Sequence, residues 1–423
     1  MKENKRAVWS WAFYDWANSA YSTTVMAGFF PLFFKEYWAD PHNPSQSTFY
    51  LGMANSIASM VVAALAPLLG SVADQGSAKK KFLTFFAFLG VIMTGGLWMV
   101  AQGNWQMAVL FYVIATIGFA SGNVFYDALL PGLASEERVD AVSSLGFGIG
   151  YLGGGLLFLV NVFMYLKPEL FGIPDGATAI KLSFLSVAVW WAVFTIPLIL
   201  FVPEPKNYEN IDFNNAIQMG WVQLVQTFKE IRNMKVVGTF LLAYWFYIDG
   251  VDTIIRMAVD YGMSLNFPGE SLIIALLIVQ FVAFPAALIY GWLASKIGAK
   301  TGIMVGITAY SFITLLGYFM TEAWHFYVLA ILIGLFMGGI QALSRSLYTR
   351  IIPPDKSAEF FGFYNMLGKF AAIIGPALMG TIALVTGSAR LSILSILLLF
   401  ILGAFFLNKV DIKEGKRLAA KGL

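Results

Sequence analysis

The chain has 423 residues, of which 59% are hydrophobic and only 12% charged, with a mean hydropathy of +0.73. That composition belongs to a membrane protein, since a soluble fold would need an implausibly large dry core. A formal charge of +3 gives no support for nucleic-acid binding, and the absence of cysteine excludes disulfides, thiol catalysis and cysteine-ligated metals.

The N-terminus sets Lys2, Lys5 and Arg6 before an apolar run, as a secretory signal would. The run is too long and too polar for that, holding Asp15 and several Trp and Tyr residues, so it is expected to stay in the mature protein as the first span. It contains Trp11-Ala-Phe-Tyr-Asp-Trp-Ala-Asn-Ser-Ala-Tyr21. A charge at the centre of a spanning helix costs about 2.5 to 3.5 kcal/mol on insertion scales, so this helix should face a polar cavity or a partner.

Stretches of roughly 20 apolar residues recur along the chain. They predict spans over 8–38, 49–73, 82–101, 105–132, 141–166, 180–202, 236–261, 270–294, 301–320, 324–351, 358–387 and 391–408. An all-α membrane protein of 12 transmembrane helices follows. The polar stretch 203–235 separates an N-terminal half, 1–202, from a C-terminal half, 236–409, and 410–423 forms a tail. Ile217, Trp221, Leu224, Val225 and Phe228 give the central stretch one apolar face, which predicts an interfacial amphipathic helix.

Alternating the loops puts Lys79, Lys80, Lys81, Arg138, Lys296, Lys300, Arg350, Lys356 and both termini on one side, with only Lys35, Lys167, Lys181 and Arg390 opposite. By the positive-inside rule both termini are cytoplasmic, in an inner or plasma membrane. The halves also repeat. Gly70-Ser-Val-Ala-Asp74 follows the second span and Gly291-Trp-Leu-Ala-Ser295-Lys-Ile-Gly298-Ala-Lys300 the eighth, while Pro131 and Pro353 end the fourth and tenth. Leu145-Gly146 matches Leu367-Gly368 at the offset of the prolines. Parallel six-helix repeats are a transporter architecture, with substrate bound between them.

The loop Gly291, Ser295, Lys296, Gly298, Lys300 resembles the signature loop of the major facilitator superfamily, with Gly70, Asp74 and Gly76 as its first copy. Within that superfamily the Trp11–Tyr21 run resembles the vacuole amino-acid effluxer family linked to autophagy and its bacterial relatives. The resemblance implies the major facilitator fold, amino-acid efflux in fungal members, and loops that latch the halves and gate alternating access. Ser295 stands where the first copy has an acid, so a symmetric latch is not expected.

Seven ionisable residues fall inside predicted spans: Asp15, Asp127, Asp249, Asp252, Arg256, Arg345 and Lys369. They occupy spans 1, 4, 7, 10 and 11, and the resemblance implies that 1, 4, 7 and 10 line the central cavity. Helical steps put Asn18 and Ser22 on the face of Asp15, Asn123 on that of Asp127, Gln341 on that of Arg345 and Asn365 on that of Lys369. The plain alternative is that these charges are ion pairs locking helices, for example Asp252 with Arg256 or Asp249 with Lys369.

Four acids facing three bases leave one uncompensated carboxylate, and Asp15 or Asp127 is the expected proton carrier. Arg345 and Lys369 are expected to bind a substrate carboxylate and Asp249 or Asp15 its amine, with Tyr14, Tyr21, Tyr126 and Trp245 around its apolar part. Asp252, Arg256, Gln341, Asn18, Asn123 and Asn365 complete the expected binding set. Gly148-Ile-Gly150-Tyr-Leu-Gly153 matches a dinucleotide fingerprint, but with no strand before it the glycines read as helix packing. No nucleotide, zinc or hydrolase motif is present, and no cofactor is expected.

The sequence thus points to a secondary transporter, working as a monomer, for a small zwitterion such as an amino acid exported with proton coupling. The alternatives are a larger amphipathic solute, such as a peptide, muropeptide or lysolipid, or a non-transporting receptor. A lateral opening beside spans 5 and 8 would favour a lipid.

Overall fold

The computed structural model describes residues 4–39, 44–75, 78–204, 222, 234–265 and 267–420. The expected amphipathic helix of the central stretch and the position of Gly76 lie outside the described residues. The described chain is helical. Helix α1 covers residues 5–38, followed by α2 (Pro44–Gln75), α3 (Lys79–Gly96), α4 (Trp105–Leu129), α5 (Val139–Leu166) and α6 (Gly176–Phe201). The second set is α7 (Lys235–Ser264), α8 (Gly269–Ile297), α9 (Ala299–Tyr318), α10 (Ala323–Ile351), α11 (Ser357–Thr386) and α12 (389–408), with a short α13 (Ile412–Ala420) after it.

Among the described residues nine helices are long and apolar enough to cross a membrane. The three others, α1, α7 and α11, are those that carry Asp15, the pair Asp249 and Asp252, and Lys369. Exposed apolar side chains point outward from α3 (Phe85, Ile92), α6 (Val193, Leu200), α9 (Val305, Phe312) and α12 (Ile401, Phe405). Such exposed apolar positions suit lipid tails.

Each set of six packs on itself: α1 against α5 and α6, α3 against α4 and α6, then α7 against α11 and α12, and α8 against α10. The two sets meet along α2 with α11 and α5 with α8, and more sparsely where α5 meets α10 and α4 meets α11. Pro131 sits in the 3-10 turn that ends α4, and Pro353 opens the turn after α10, where a missing N–H costs no helical bond. Lys79 at the start of α3, the turns after α4 and α10, and helix α13 gather at one end of the bundle, the terminal face.

Helix α1 departs from regular α geometry. Residues Tyr21–Phe29 form a π-helix, closed by the N–H of Phe30 donating to the carbonyl of Val25. Pro31 follows at once and has no N–H to return to the preceding turn. Widened turns of this kind tend to occur at functional sites, and this one begins six residues after Asp15.

Candidate functional site

Arg345 belongs to α10, yet every group that holds its guanidinium is on the first half. Its Nη1 donates to Asp127 Oδ1 at 2.9 Å, its Nε to Ser143 Oγ at 2.9 Å and its Nη2 to the Ser143 carbonyl at 2.7 Å. Asp15 Oδ2 lies 4.0 Å from Nη1. The rings of Trp11, Tyr126 and Phe147 surround the cation at 5.0, 5.3 and 4.2 Å. Arg345 is 2% exposed, so this shell replaces the water that a buried guanidinium would otherwise lose.

Both carboxylates are themselves held. Asn365 of α11 donates to Asp127 Oδ2 at 3.4 Å, and Tyr126 Oη donates to Asp15 Oδ2 at 3.3 Å. Tyr126 is fixed in turn, stacked on Trp11 at 4.3 Å, and the indole Nε1 of Trp11 donates to the Tyr126 carbonyl at 2.9 Å. One turn deeper, Asn18 donates to Asn123 at 2.5 Å, joining α1 to α4. One guanidinium facing two carboxylates leaves a place for one further positive charge or proton.

The remaining expected residues divide. Gln341 accepts from Tyr151 Oη at 2.8 Å, a further polar contact between the halves. Ser22 turns back to the carbonyl of Ser19. Tyr21 is fully buried within the first half, its hydroxyl 2.9 Å from Thr116 Oγ1, and Tyr14 is likewise buried against Tyr126. Asp249 is fully buried and accepts the backbone N–H of Gly375. Asp252 is half-buried on α7, and Trp245 half-buried with its ring on Phe246. The side chains of Arg256 and Lys369 lie outside the described residues.

At the terminal face the signature loop acts as a cap. Asp74 accepts the N–H groups of Ala358 and Glu359 at 3.2 and 2.9 Å, at the start of α11, and pairs with Lys79 at 2.8 Å. A carboxylate there meets unsatisfied donors and the positive end of the helix dipole. Lys79 also donates to Ser357 Oγ at 2.7 Å. The second copy differs: Ser295 bonds the carbonyl of Trp292 in its own helix, Lys296 lies over the Trp292 ring, and Lys300 donates to the carbonyls of Asn408 and Val410. Gly298, at φ 83°, makes the turn between α8 and α9 in a region that favours glycine.

The motif glycines are alike where the loops are not. A Cβ on Gly70 would strike the carbonyl of Ala358, and one on Gly291 would come within 2.6 Å of Ser144 Cβ. Each therefore brings a helix of one half against a helix of the other. The fingerprint glycines of α5 are packing residues: Gly150 and Gly153 adjoin Asp15 and Trp16 of α1, while Gly148 and Gly155 adjoin Leu288 and Gln280 of α8. The seam between α5 and α8 is packed at these positions.

Ser143 and Phe147 beside Arg345 escaped the sequence reading, as did Asp140 and Tyr151. Asp140, at the start of α5, is 3% exposed and accepts from Arg350 Nη1 and Nη2, at 2.6 and 2.8 Å, and from Ser346 Oγ at 2.5 Å. Tyr151 lay hidden among the glycines of α5. Beside them Lys416 of α13 pairs with Glu136, whose carbonyl also accepts from Arg350 at 2.9 Å. At the base of α3 the Glu204 carboxylate accepts the Lys80 N–H at 3.2 Å, and burial holds its pKa above the usual carboxylate range.

Solved structures share this architecture. The proton:xylose symporter XylE matches with a TM-score of 0.72 at 14% identity, covering 96% of this chain and 95% of its own. The human organic anion transporter MFSD10 (TETRAN) gives 0.71, also at 14% identity, covering 95% and 99%. At such identities the likeness is one of fold: an all-α bundle with the major facilitator fold. "Uncharacterized MFS-type transporter YxiO" of Bacillus subtilis (strain 168) is 42% identical over 403 residues, 94% of this chain and 93% of that protein. Autophagy-related protein 22 of Saccharomyces cerevisiae is 26% identical over 84% of this chain and 75% of its own.

The chain is a multi-pass integral membrane protein and a transporter of the major facilitator superfamily rather than an enzyme. Within that superfamily it belongs to the family described as vacuole effluxer Atg22 like, whose model matches residues 43–420.

Proposed function

We propose that the protein is a secondary active transporter that exports a small zwitterionic solute, such as an amino acid, by proton-coupled alternating access. The observation that carries this reading is Arg345 of the second half held between Asp127 and Asp15 of the first. An ion cluster bridging two rocking bodies can be remade by a proton or a charged solute, and each remaking changes the contact between halves. In the state described, the Arg345 donors face Ser143 and Asp127, so a substrate carboxylate reaches Arg345 only by displacing Asp127; Lys369 is its other partner. The amine goes to Asp15 or Asp252, beside Gln341, Tyr151, Asn18 and Asn123.

The ties at Asp74, Asp140, Arg345 and Arg350 fit a state closed at the terminal face. With most loop lysines and arginines there, that face is cytoplasmic, in an inner or plasma membrane. The halves are taken as 1–202 and 236–409, joined by 203–235. Packing of α5 on α8 at Gly148 and Gly155 does not favour the lysolipid reading, for which a lateral opening there would speak.

The test is efflux and counterflow of radiolabelled amino acids in proteoliposomes under an imposed pH gradient. Exchange that follows the gradient, with a pH profile altered in Asp15→Asn or Asp127→Asn, is expected. Absence of exchange for every amino acid sinks the substrate, and an unchanged pH profile in both variants sinks the coupling.

A further inference from the structure

Helix α11 carries Pro376 in its interior. A proline there has no N–H for the carbonyl one turn back, that of Ala372, and its ring presses that turn aside. The N–H just before it, on Gly375, is taken by a side chain from another helix: Asp249 of α7 accepts it with both carboxylate oxygens, at 3.0 and 3.2 Å. Thr253, one turn along α7, donates to Asp249 Oδ1 at 3.3 Å. A Cβ at Gly375 would collide with Thr253 Oγ1 and stand 2.9 Å from Asp249 Oδ1.

In the first half the corresponding crossing has its carboxylate, Asp15, one turn away beside Gly150. Gly153 and Gly154, at the repeat offset from Gly375 and Pro376, meet Trp16, Ser19 and Thr23 of α1.

The two ends of α11 have different attachments. Before the crossing, Ala358 and Glu359 bond Asp74 and Asn365 bonds Asp127, so this segment is tied to the first half. After the crossing, Pro376 to Thr386 runs toward the other end of the bundle, where Gly387 caps the helix in the left-handed conformation.

We propose that Asp249 is the hinge residue of α11: its hold on the Gly375 N–H stiffens the helix at Pro376, where the regular hydrogen bond is missing, so that movement of the tied segment is passed to the far segment. Asp249 is then a positioning residue and does not touch the solute. This goes beyond the substrate reading and does not depend on which solute is carried.

The chain has no cysteine, so two spin labels can be placed without background. Asp355 before α11 and Val385 near its end are exposed, and Asp355→Cys with Val385→Cys reports the end-to-end distance of the helix by double electron–electron resonance in reconstituted full-length protein. Asp249→Ala and Gly375→Ala should each broaden that distribution at least twofold, whereas Asp249→Asn, which keeps an oxygen acceptor, should restore its width. Distributions unchanged in both Asp249→Ala and Gly375→Ala, as expected if Asp249 only held a solute amine, overturn the proposal. So does Asp249→Asn broadening as much as Asp249→Ala. If Asp249→Ala does not fold, Gly375→Ala and Asp249→Asn decide between the same outcomes.

Discussion

Arg345 shows how much one side chain can carry. Remove it, and Asp127 is left as a buried carboxylate whose remaining described donor is Asn365, a situation that costs about 3 to 5 kcal/mol. Arg345→Ala should therefore lower the melting temperature sharply, and Arg345→Met combined with Asp127→Asn should recover much of the loss, since both charges then go together. Arg345→Lys keeps the charge but cannot span Asp127 and Ser143 as a fork, so it should fall between. Thermal melting of the purified protein ranks the variants. Asp15, Asp127 and Arg345 were legible in the sequence because a charge in an apolar span demands an explanation. Asp140 was not, because at the edge of a span it looks like a loop residue until Arg350 and Ser346 close over it. Nor was the partner of Asp249, since a backbone N–H leaves no mark in a pattern of side chains.

At the scale of helices, glycine decides which elements can touch. Gly70 lets α2 lie against the backbone at Ala358, and Gly291 lets α8 lie against Ser144. A backbone carbonyl cannot move aside as a side chain can, so Gly70→Ala should open the terminal face more than Gly291→Ala. Labelling of Ser357→Cys, 1% exposed in the closed state, by a membrane-impermeant maleimide applied to that face should be faster in the Gly70 variant. Equal rates in the two variants would contradict the ordering. The repeat offset made the correspondence of these glycines legible, and Ser295 announced the unequal loops. The π-helix of α1 could not be read, because side-chain spacing locates a face and says little about which carbonyl each N–H selects.

For the molecule as a whole, the ties between halves gather at one end, so joining that end covalently should stop the cycle. Ser346 Oγ and Asp140 Oδ1 are 2.5 Å apart, and Ser346→Cys with Asp140→Cys should cross-link under mild oxidation. Exchange in proteoliposomes should then cease and return with reductant, while either single variant is indifferent to oxidant. Persisting exchange in the cross-linked protein would mean that these halves do not part at the terminal face. The all-α membrane fold came through clearly, since lipid imposes a length on each apolar helix. The lock itself did not, because it depends on which loops meet across two bodies far apart in sequence.

Helix α5 presents glycine on two sides, to α1 within its own half and to α8 of the other. Toward α1 the smooth side is a fixed joint. Toward α8, if the halves rock, it would act as a bearing, a backbone surface that offers Leu288 and Gln280 few side chains to unhook. Friction along that seam, more than the strength of any single tie, would then set how fast the halves exchange states, and evolution could tune the speed of the machine at Gly148 and Gly155 while leaving its lock untouched.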